Sequence, residues 1–269
     1  MPFTVLVSLL VGCLLLFSSS SVPAQAPDTV FLEELTWTEL RDRVLSGKTT
    51  ILVPIGGTEQ SGPHMALGKH NVRVKALSAA IARGLGNALV APVLAYVPEG
   101  SISPPSSHMR FPGTISIPEA TFAQVLESAA RSFKAHGFKD VVFLGDHGGY
   151  QALEKRVADR LNREWAATPA RAHAMLEYYR LGEVEYAQLL KSRGYTEEEI
   201  GTHAGLADTS LSLAVDSRLV RGDAMRAPPN AASGVYGDPR RSSAALGQSG
   251  ADLIVAKTIA AIRTATAPR

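Results

Sequence analysis

Between residues 58 and 70 the chain reads TEQSGPHMALGKH, which places Glu59, His64 and His70 directly after the apolar run Ile51-Leu-Val-Pro-Ile55. A second apolar run, Lys139 to Leu144, leads straight into Gly145-Asp146-His147-Gly148-Gly149. Imidazole and carboxylate together suit Zn, Mn or Fe in an open catalytic geometry. Three such ligands leave a position for water, and a cation lowers that water's pKa toward ~7, which prepares it to attack a carbonyl at neutral pH. On this chemistry Glu59, His64, His70 and His147 are the candidate ligands. Their spacing fits neither His-Glu-x-x-His nor a paired-cysteine zinc signature. Loop histidines also serve as caps and hydrogen-bond partners, so a turn that binds nothing stands as the alternative.

The elements that must position these residues follow from periodicity and turn signals. Thr36 or Thr38 caps a helix that includes Leu40 to Leu45 and ends at Gly47, and Thr50 to Ile55 reads as a buried strand. From Asn71 onward, Val72, Val74, Leu77, Ile81 and Leu85 recur at helical intervals up to Gly84-Leu-Gly86. Ala88 to Val97 reads as a second strand, and residues 97 to 112, VPEGSISPPSSHMRFP, hold too many prolines for regular structure. Gly113 to Ile117 reads as a short strand, followed by a helix from Pro118 to about His136. The strand at Lys139 to Leu144 precedes a helix from Gln151 to Trp165, and Ala172 to Tyr179 reads as a further strand. Helices are expected at Val184 to Arg193, at Glu197 to Ile200, within THAGLADTSLSLAVD and at Leu246 to Ala265, with Arg218 to Ser243 irregular. This alternation predicts an α/β fold, a three-layer α/β/α sandwich with a mostly parallel central sheet. Ligands on such sheets bind at the carboxyl ends of strands, where both chemical stretches lie.

The 269 residues suffice for one such domain, over residues 27 to 269. A net charge of +2 arises from interspersed Lys/Arg and Asp/Glu, with no basic run dense enough to track a phosphate backbone, so nucleic acid is excluded as a partner. Met1 to Phe17 is an apolar stretch followed by Ser18 to Ser21 and Val22-Pro-Ala-Gln-Ala26, a pattern that predicts a signal peptide over residues 1 to 26, cut after Ala24 or Ala26. The expected location is periplasmic or secreted, with no membrane span after processing. The single cysteine, Cys13, lies in this leader within Leu10-Val-Gly-Cys13, which also reads as a lipoprotein acceptor box, although the apolar run continues past it. Without Cys13 the mature chain has no cysteine, and a metal must be held by His, Asp and Glu.

Four stretches together resemble the creatininase family of metal-dependent amidohydrolases. VPIGGTEQSGPHMALGKHN (53 to 71) is similar to that family's Pro-x-Gly-Ser-x-Glu-Gln-His-Gly-Pro-His motif, and HMRFPGTISI (108 to 117) to its His-x-x-Phe-Pro-Gly-Thr segment. FLGDHGGYQ resembles its Asn-Gly-His-Gly-Gly-Asn turn and HAGLADTS its His-Ala-Gly-x-x-Glu-Thr-Ser, all in the family's order. The resemblance implies the α/β/α sandwich, homo-oligomers that are often hexamers, and hydrolysis of C–N bonds in cyclic or linear amides. One branch trims a peptide precursor of a redox cofactor.

The resemblance implies metal ligands at Glu59, His70 and His147, but with departures. Ser61 stands where the family has a His, His70 where it has a bridging Asp, and Gly149 where creatininase has a Glu. The second metal site thereby loses its evident ligands, which predicts one divalent cation, Zn or Mn, per chain. By the same resemblance His203 is placed near the scissile amide as a general acid, with Asp208 beside it. Asp208 or Asp146 could add a fourth ligand or orient a histidine, and His64 and Ser61 lie around the metal rather than on it. His108, Gly148, Gly149 and Tyr150 are expected to face substrate, Glu99 either lines the pocket or is solvated, and His136 and His173 are structural. The implied function is an exported hydrolase of a small amide, cyclic or linear. A non-catalytic metal- or ligand-binding protein and a peptide-trimming amidase are the alternatives.

Overall fold

The computed structural model describes residues 27–267. The expected signal peptide, its cleavage site and Cys13 lie outside the described residues. Four strands, β1 (Thr50–Ile55), β2 (Ala88–Val90), β3 (Asp140–Gly145) and β4 (Arg171–Ala174), form one parallel sheet in the order β2-β1-β3-β4. Every residue of β1 is buried, as a central strand covered on both faces requires. Its alternation sends Ile51, Val53 and Ile55 into one core with Val141 and Phe143, and Leu52 into the other with Val142 and Leu144.

Ten α-helices supply the covers: α1 (Trp37–Leu45), α2 (Lys69–Leu85), α3 (Glu119–Ala135), α4 (Gln151–Glu164), α5 (Leu176–Arg180), α6 (Tyr186–Ser192), α7 (Glu197–Ile200), α8 (Leu206–Val215), α9 (Gly222–Met225) and α10 (Ala244–Ala265), counted among the described residues. Phe122 and Leu126 of α3 and Leu153, Val157 and Leu161 of α4 fill the first core. Leu77 and Ile81 of α2, Leu211 of α8 and Ile254 of α10 fill the second, so the sheet lies between two helical layers as expected. Thr36 caps α1 through a capping box with Glu39. The close crossing of α8 and α10 depends on Gly247, where a Cβ would fall 1.8 Å from the Ser210 carbonyl oxygen. Among the described residues no helix is long and apolar enough to cross a membrane.

Three expected strands differ. The ladder of β2 stops at Val90, ahead of Pro92, whose ring nitrogen has no proton to donate. Gly113 to Ile117 forms only an isolated bridge between Val97 and Ser116. The strand expected to reach Tyr179 ends at Ala174, because Met175, Tyr178 and Leu181 bury at helical rather than alternating spacing and the chain turns into α5. A π-helical turn, Leu181–Glu185, joins α5 to α6 and contains the expected helix start at Val184.

In the β1–β3 register Ile55 pairs with Gly145, so both strands deliver their following loops to the same edge of the sheet. Glu59 leaves β1 there and His147 leaves β3.

A candidate metal centre at the carboxyl edge of the sheet

Several ties hold the loop after β1. Asn71 of α2 accepts a hydrogen bond from Gly57 N at 2.9 Å, Ile115 N donates to Thr58 O at 2.9 Å, and Gln60 N donates to Thr114 Oγ1 at 3.1 Å. The last two hold the segment that follows the Pro-rich loop against the residues on either side of Glu59. Gly57 has φ +150°, and a Cβ there would lie 2.7 Å from Glu99 Oε1, so this glycine leaves room for the Glu99 carboxylate. Glu59, Glu99, His108 and His147 consequently converge, each offering a ligand atom within 4.8 Å of the others.

The separations test whether a cation fits. Ligand atoms about 2.0–2.2 Å from a common ion sit about 3.3–3.6 Å apart at the corners of a tetrahedron. Here His108 Nε2 lies 3.2 Å and His147 Nε2 3.4 Å from Glu59 Oε2, and His147 Nε2 lies 3.7 Å from Glu99 Oε2. Glu59 Oε2 and both Glu99 oxygens are buried without a hydrogen-bond partner among the described residues. Two carboxylates and two imidazoles are a donor set that Zn and Mn accept.

His70, expected as a ligand, is placed differently. Its Nε2 lies 2.8 Å from Glu59 Oε1 and its Nδ1 2.7 Å from Asp146 Oδ2, so both nitrogens are engaged by carboxylates at hydrogen-bond distance. Asp146 also accepts from Arg73 Nε at 2.8 Å and from Tyr178 Oη at 2.9 Å. Arg73 Nη1 reaches Asp208 at 2.6 Å, Asp208 pairs with Lys69, and Lys69 Nζ lies 3.8 Å from Glu59 Oε1. Glu59, His70, Asp146, Arg73, Asp208 and Lys69 therefore close a ring of charged and polar groups beneath the site. Asp146 orients His70, one of the two roles expected for it. Asp208, expected to work on substrate, is committed to Lys69, Arg73 and the Ala204 backbone N–H at 3.1 Å.

The sequence reading did not find Lys69 and Arg73. The signal was present: His70, Arg73 and Leu77 share the buried face of α2 at helical spacing, and a cation on such a face needs a buried partner.

Charge states follow from these neighbours. Burial would push the Glu59 carboxyl up, but the His147 and His70 imidazoles and the Lys69 ammonium outweigh it and hold it well below the usual carboxylate range. Burial raises Glu99 to about 8, with the negative charge of Glu59 adding to it and His147 opposing. Burial and the Lys69 charge lower His203 to about 4. His203 Nε2 sits 2.9 Å from Gln60 O, and its ring stacks at 4.6 Å, tilted, against that of His108.

A cavity of about 300 Å³ opens over this arrangement, lined by Lys69, His108, Phe111, His147, His203 and Asp208 among others. A second recess of about 390 Å³ lies on the far side of His108 and His147, with Glu99 and Gly149 in its wall. Gly148 faces Tyr179 in an outer groove. Tyr150 lines none of these: it is buried against Phe122, and its hydroxyl donates to the carbonyls of Ile55 and Gly56, tying down the end of β1. This corrects its expected place against substrate, because the turn after His147 directs that side chain into the core. His64 is buried with Nε2 3.0 Å from Thr209 Oγ1, and buried Ser61 Oγ has no partner among the described residues. His173 pairs with Asp140 across β3 and β4, and His136 caps α3.

A parallel sheet covered by helices on both faces, with imidazoles and carboxylates gathered at its carboxyl edge, defines an α/β protein with a candidate metal centre. Residues 33–262 match the family described as Creatininase, creatinine amidohydrolase. The chain is 29% identical over 223 residues to creatinine amidohydrolase of Pseudomonas putida, covering 80% of this chain and 85% of that one. It is 35% identical over 114 residues, 40% of this chain and 43% of the other, to a mycofactocin precursor peptide peptidase of Mycolicibacterium smegmatis. A Trp-to-Ala mutant of creatininase superposes with a TM-score of 0.75 at 26% identity, over 89% of this chain and all of that one. A creatininase structure with Mn does so with a TM-score of 0.73 at 26% identity, over 89% and 100% of the two chains. The chain belongs to the creatininase family.

Proposed function

We propose that this protein is a metal-dependent amidohydrolase that cleaves the C–N bond of a small amide, cyclic or linear, with one Zn or Mn ion per chain. The observation that carries the reading is the convergence of Glu59, Glu99, His108 and His147 beside a cavity that His203 also lines. A divalent cation held there supplies a Lewis acid for the carbonyl oxygen and an activated water.

The rest of the chemistry falls to the chain's own side chains. A histidine lowered to about 4 is neutral at pH 7, so His203 can accept a proton from the attacking water and then return it to the departing nitrogen. Gln60 positions it: the backbone carbonyl holds His203 Nε2, and the side-chain amide lies 3.0 Å from His108 Nδ1. His147 and His70, with Lys69, keep Glu59 ionised, and Arg73 with His70 does the same for Asp146. The cavity, at about 300 Å³, lies at the small end of ligand sites and favours a small amide.

The second recess favours one other substrate class, a peptide, since it extends the space beyond His108 and His147, and a similar protein is named a precursor peptide peptidase. Export to the periplasm is proposed from the composition of residues 1–26, and a homo-oligomer, a hexamer, from the family resemblance.

The test is hydrolysis by the Zn- or Mn-loaded protein of cyclic amides, linear amides and short peptides, followed by mass spectrometry, with His203→Gln alongside. Turnover of a small amide that falls about 100-fold or more in His203→Gln supports the reading. Metal uptake with no turnover of any substrate assigns the chain instead to metal or ligand binding.

A further inference from the structure

We infer that this chain has moved its metal site: Glu59, Glu99, His108 and His147 hold one cation, while His70 is withheld from the metal and supports Glu59 from behind. The inference rests on the proposed metal dependence and specifies where and how many ions bind.

Three observations carry it. Glu99 is fully enclosed, yet neither of its oxygens has a hydrogen-bond partner among the described residues, and it faces His147 at 3.7 Å. A buried carboxylate left unpaired is costly, and a cation is the partner that offsets that cost. The space it occupies is made by glycine. Gly57 leaves the carboxylate room, and Gly149, in the wall of the same recess as Glu99, brings no side chain of its own. A carboxylate thus reaches the metal from the Pro-rich loop, next to a position of the histidine turn that supplies none.

The opposite side of Glu59 has no need of an ion. Oε1 lies between His70 Nε2 at 2.8 Å and the Lys69 ammonium at 3.8 Å, and Asp146 and Asp208 are neutralised by Arg73 and Lys69. The 2.8 Å contact is a hydrogen-bond distance and is shorter than the separation of two ligands on one cation. Two fixed side-chain cations therefore stand where a second metal would have to bind, and the stoichiometry is one.

The experiment is elemental analysis of the full chain after equilibration with excess Zn²⁺ or Mn²⁺ and gel filtration, for wild type, Glu99→Gln, His108→Gln and His70→Gln. Folding of each is checked by circular dichroism, and the rise in Tm on adding metal is recorded. The expected result is about one ion per wild-type chain, loss of stoichiometric binding and of the Tm rise in Glu99→Gln and His108→Gln, and retention of about one ion in His70→Gln with affinity weakened no more than about 100-fold. A metal that follows His70 and ignores Glu99, about two ions per chain, or none at all would overturn the inference. Should His70→Gln not fold, the anomalous signal of Zn in wild-type crystals decides: a peak within bonding distance of Glu99 and His108 supports it, and a peak on His70 overturns it. The two readings fail separately. Metal bound by this set in a protein that hydrolyses nothing removes the hydrolase reading alone, and hydrolysis dependent on a His70-bound metal removes the relocated site alone.

Discussion

Glu154 projects from α4 beneath the glycine-rich turn, fully buried, with neither carboxylate oxygen hydrogen-bonded among the described residues. A Cβ on Gly145 would come within 2.2 Å of Oε1, so the carboxyl is packed directly against the end of β3. Burial is the cause that raises its pKa well above the usual carboxylate value of 4.5. The unfolded chain releases this proton above about pH 4.5, whereas the native protein keeps it, so the native state binds more protons and stability falls as pH rises through that window. Over the pH range in which the native carboxyl stays protonated and the unfolded one does not, one proton of difference is worth about 1.4 kcal/mol per pH unit. Glu154→Gln has nearly the same shape and no titration. Urea unfolding of both proteins at intervals from pH 5 to pH 8 should therefore show the variant gaining on wild type as pH rises, by about 1.4 kcal/mol per pH unit at most. Parallel stability curves, or a gap that narrows toward high pH, would refute the assignment of Glu154 as a protonated acid.

Breaking the buried ring should be severe. Arg73→Met leaves Asp146 and Asp208 short of a partner and is expected to cost about 3–5 kcal/mol, read as a lowered urea midpoint. His203, lowered to about 4, behaves oppositely to Glu154 in pH: below 6.5 the unfolded chain takes up a proton that the native state refuses, so stability falls as pH drops from about 6.5 to about 4. His203→Gln should flatten that acid limb in thermal melts, and an unchanged limb would assign it to other groups. Gly247→Ala forces a methyl into the Ser210 carbonyl and should destabilise by at least about 1–3 kcal/mol, whereas an unperturbed Tm would contradict the close crossing of α8 and α10.

The amino-acid sequence by itself determined the parallel α/β sandwich, because β1 and β3 are continuous apolar runs and the helices between them carry one-sided apolar patterns. It also determined that the chemistry lies after β1 and β3, where Glu59 and His147 emerge, since each follows its strand directly in the chain. What it left open was which partners those two residues meet. Leu176 to Tyr179 has the composition of a strand and buries as a helix, because only the facing core shows which period is satisfied. Glu99 and His108 belong to a Pro-rich loop without periodicity, and their approach to Glu59 depends on backbone ties from Thr58 and Gln60 and on the room left by Gly57, none of which local propensity encodes. His70 reads as a ligand from its residue type and from the motif it stands in. Its withdrawal is decided by Asp146, Arg73 and Lys69, which converge from two elements once α2 packs over the end of β3. Sequence spacing carries the strands and the residues rigidly attached to them, and the choice between a metal ligand and a hydrogen-bonded support is made only where separate elements meet.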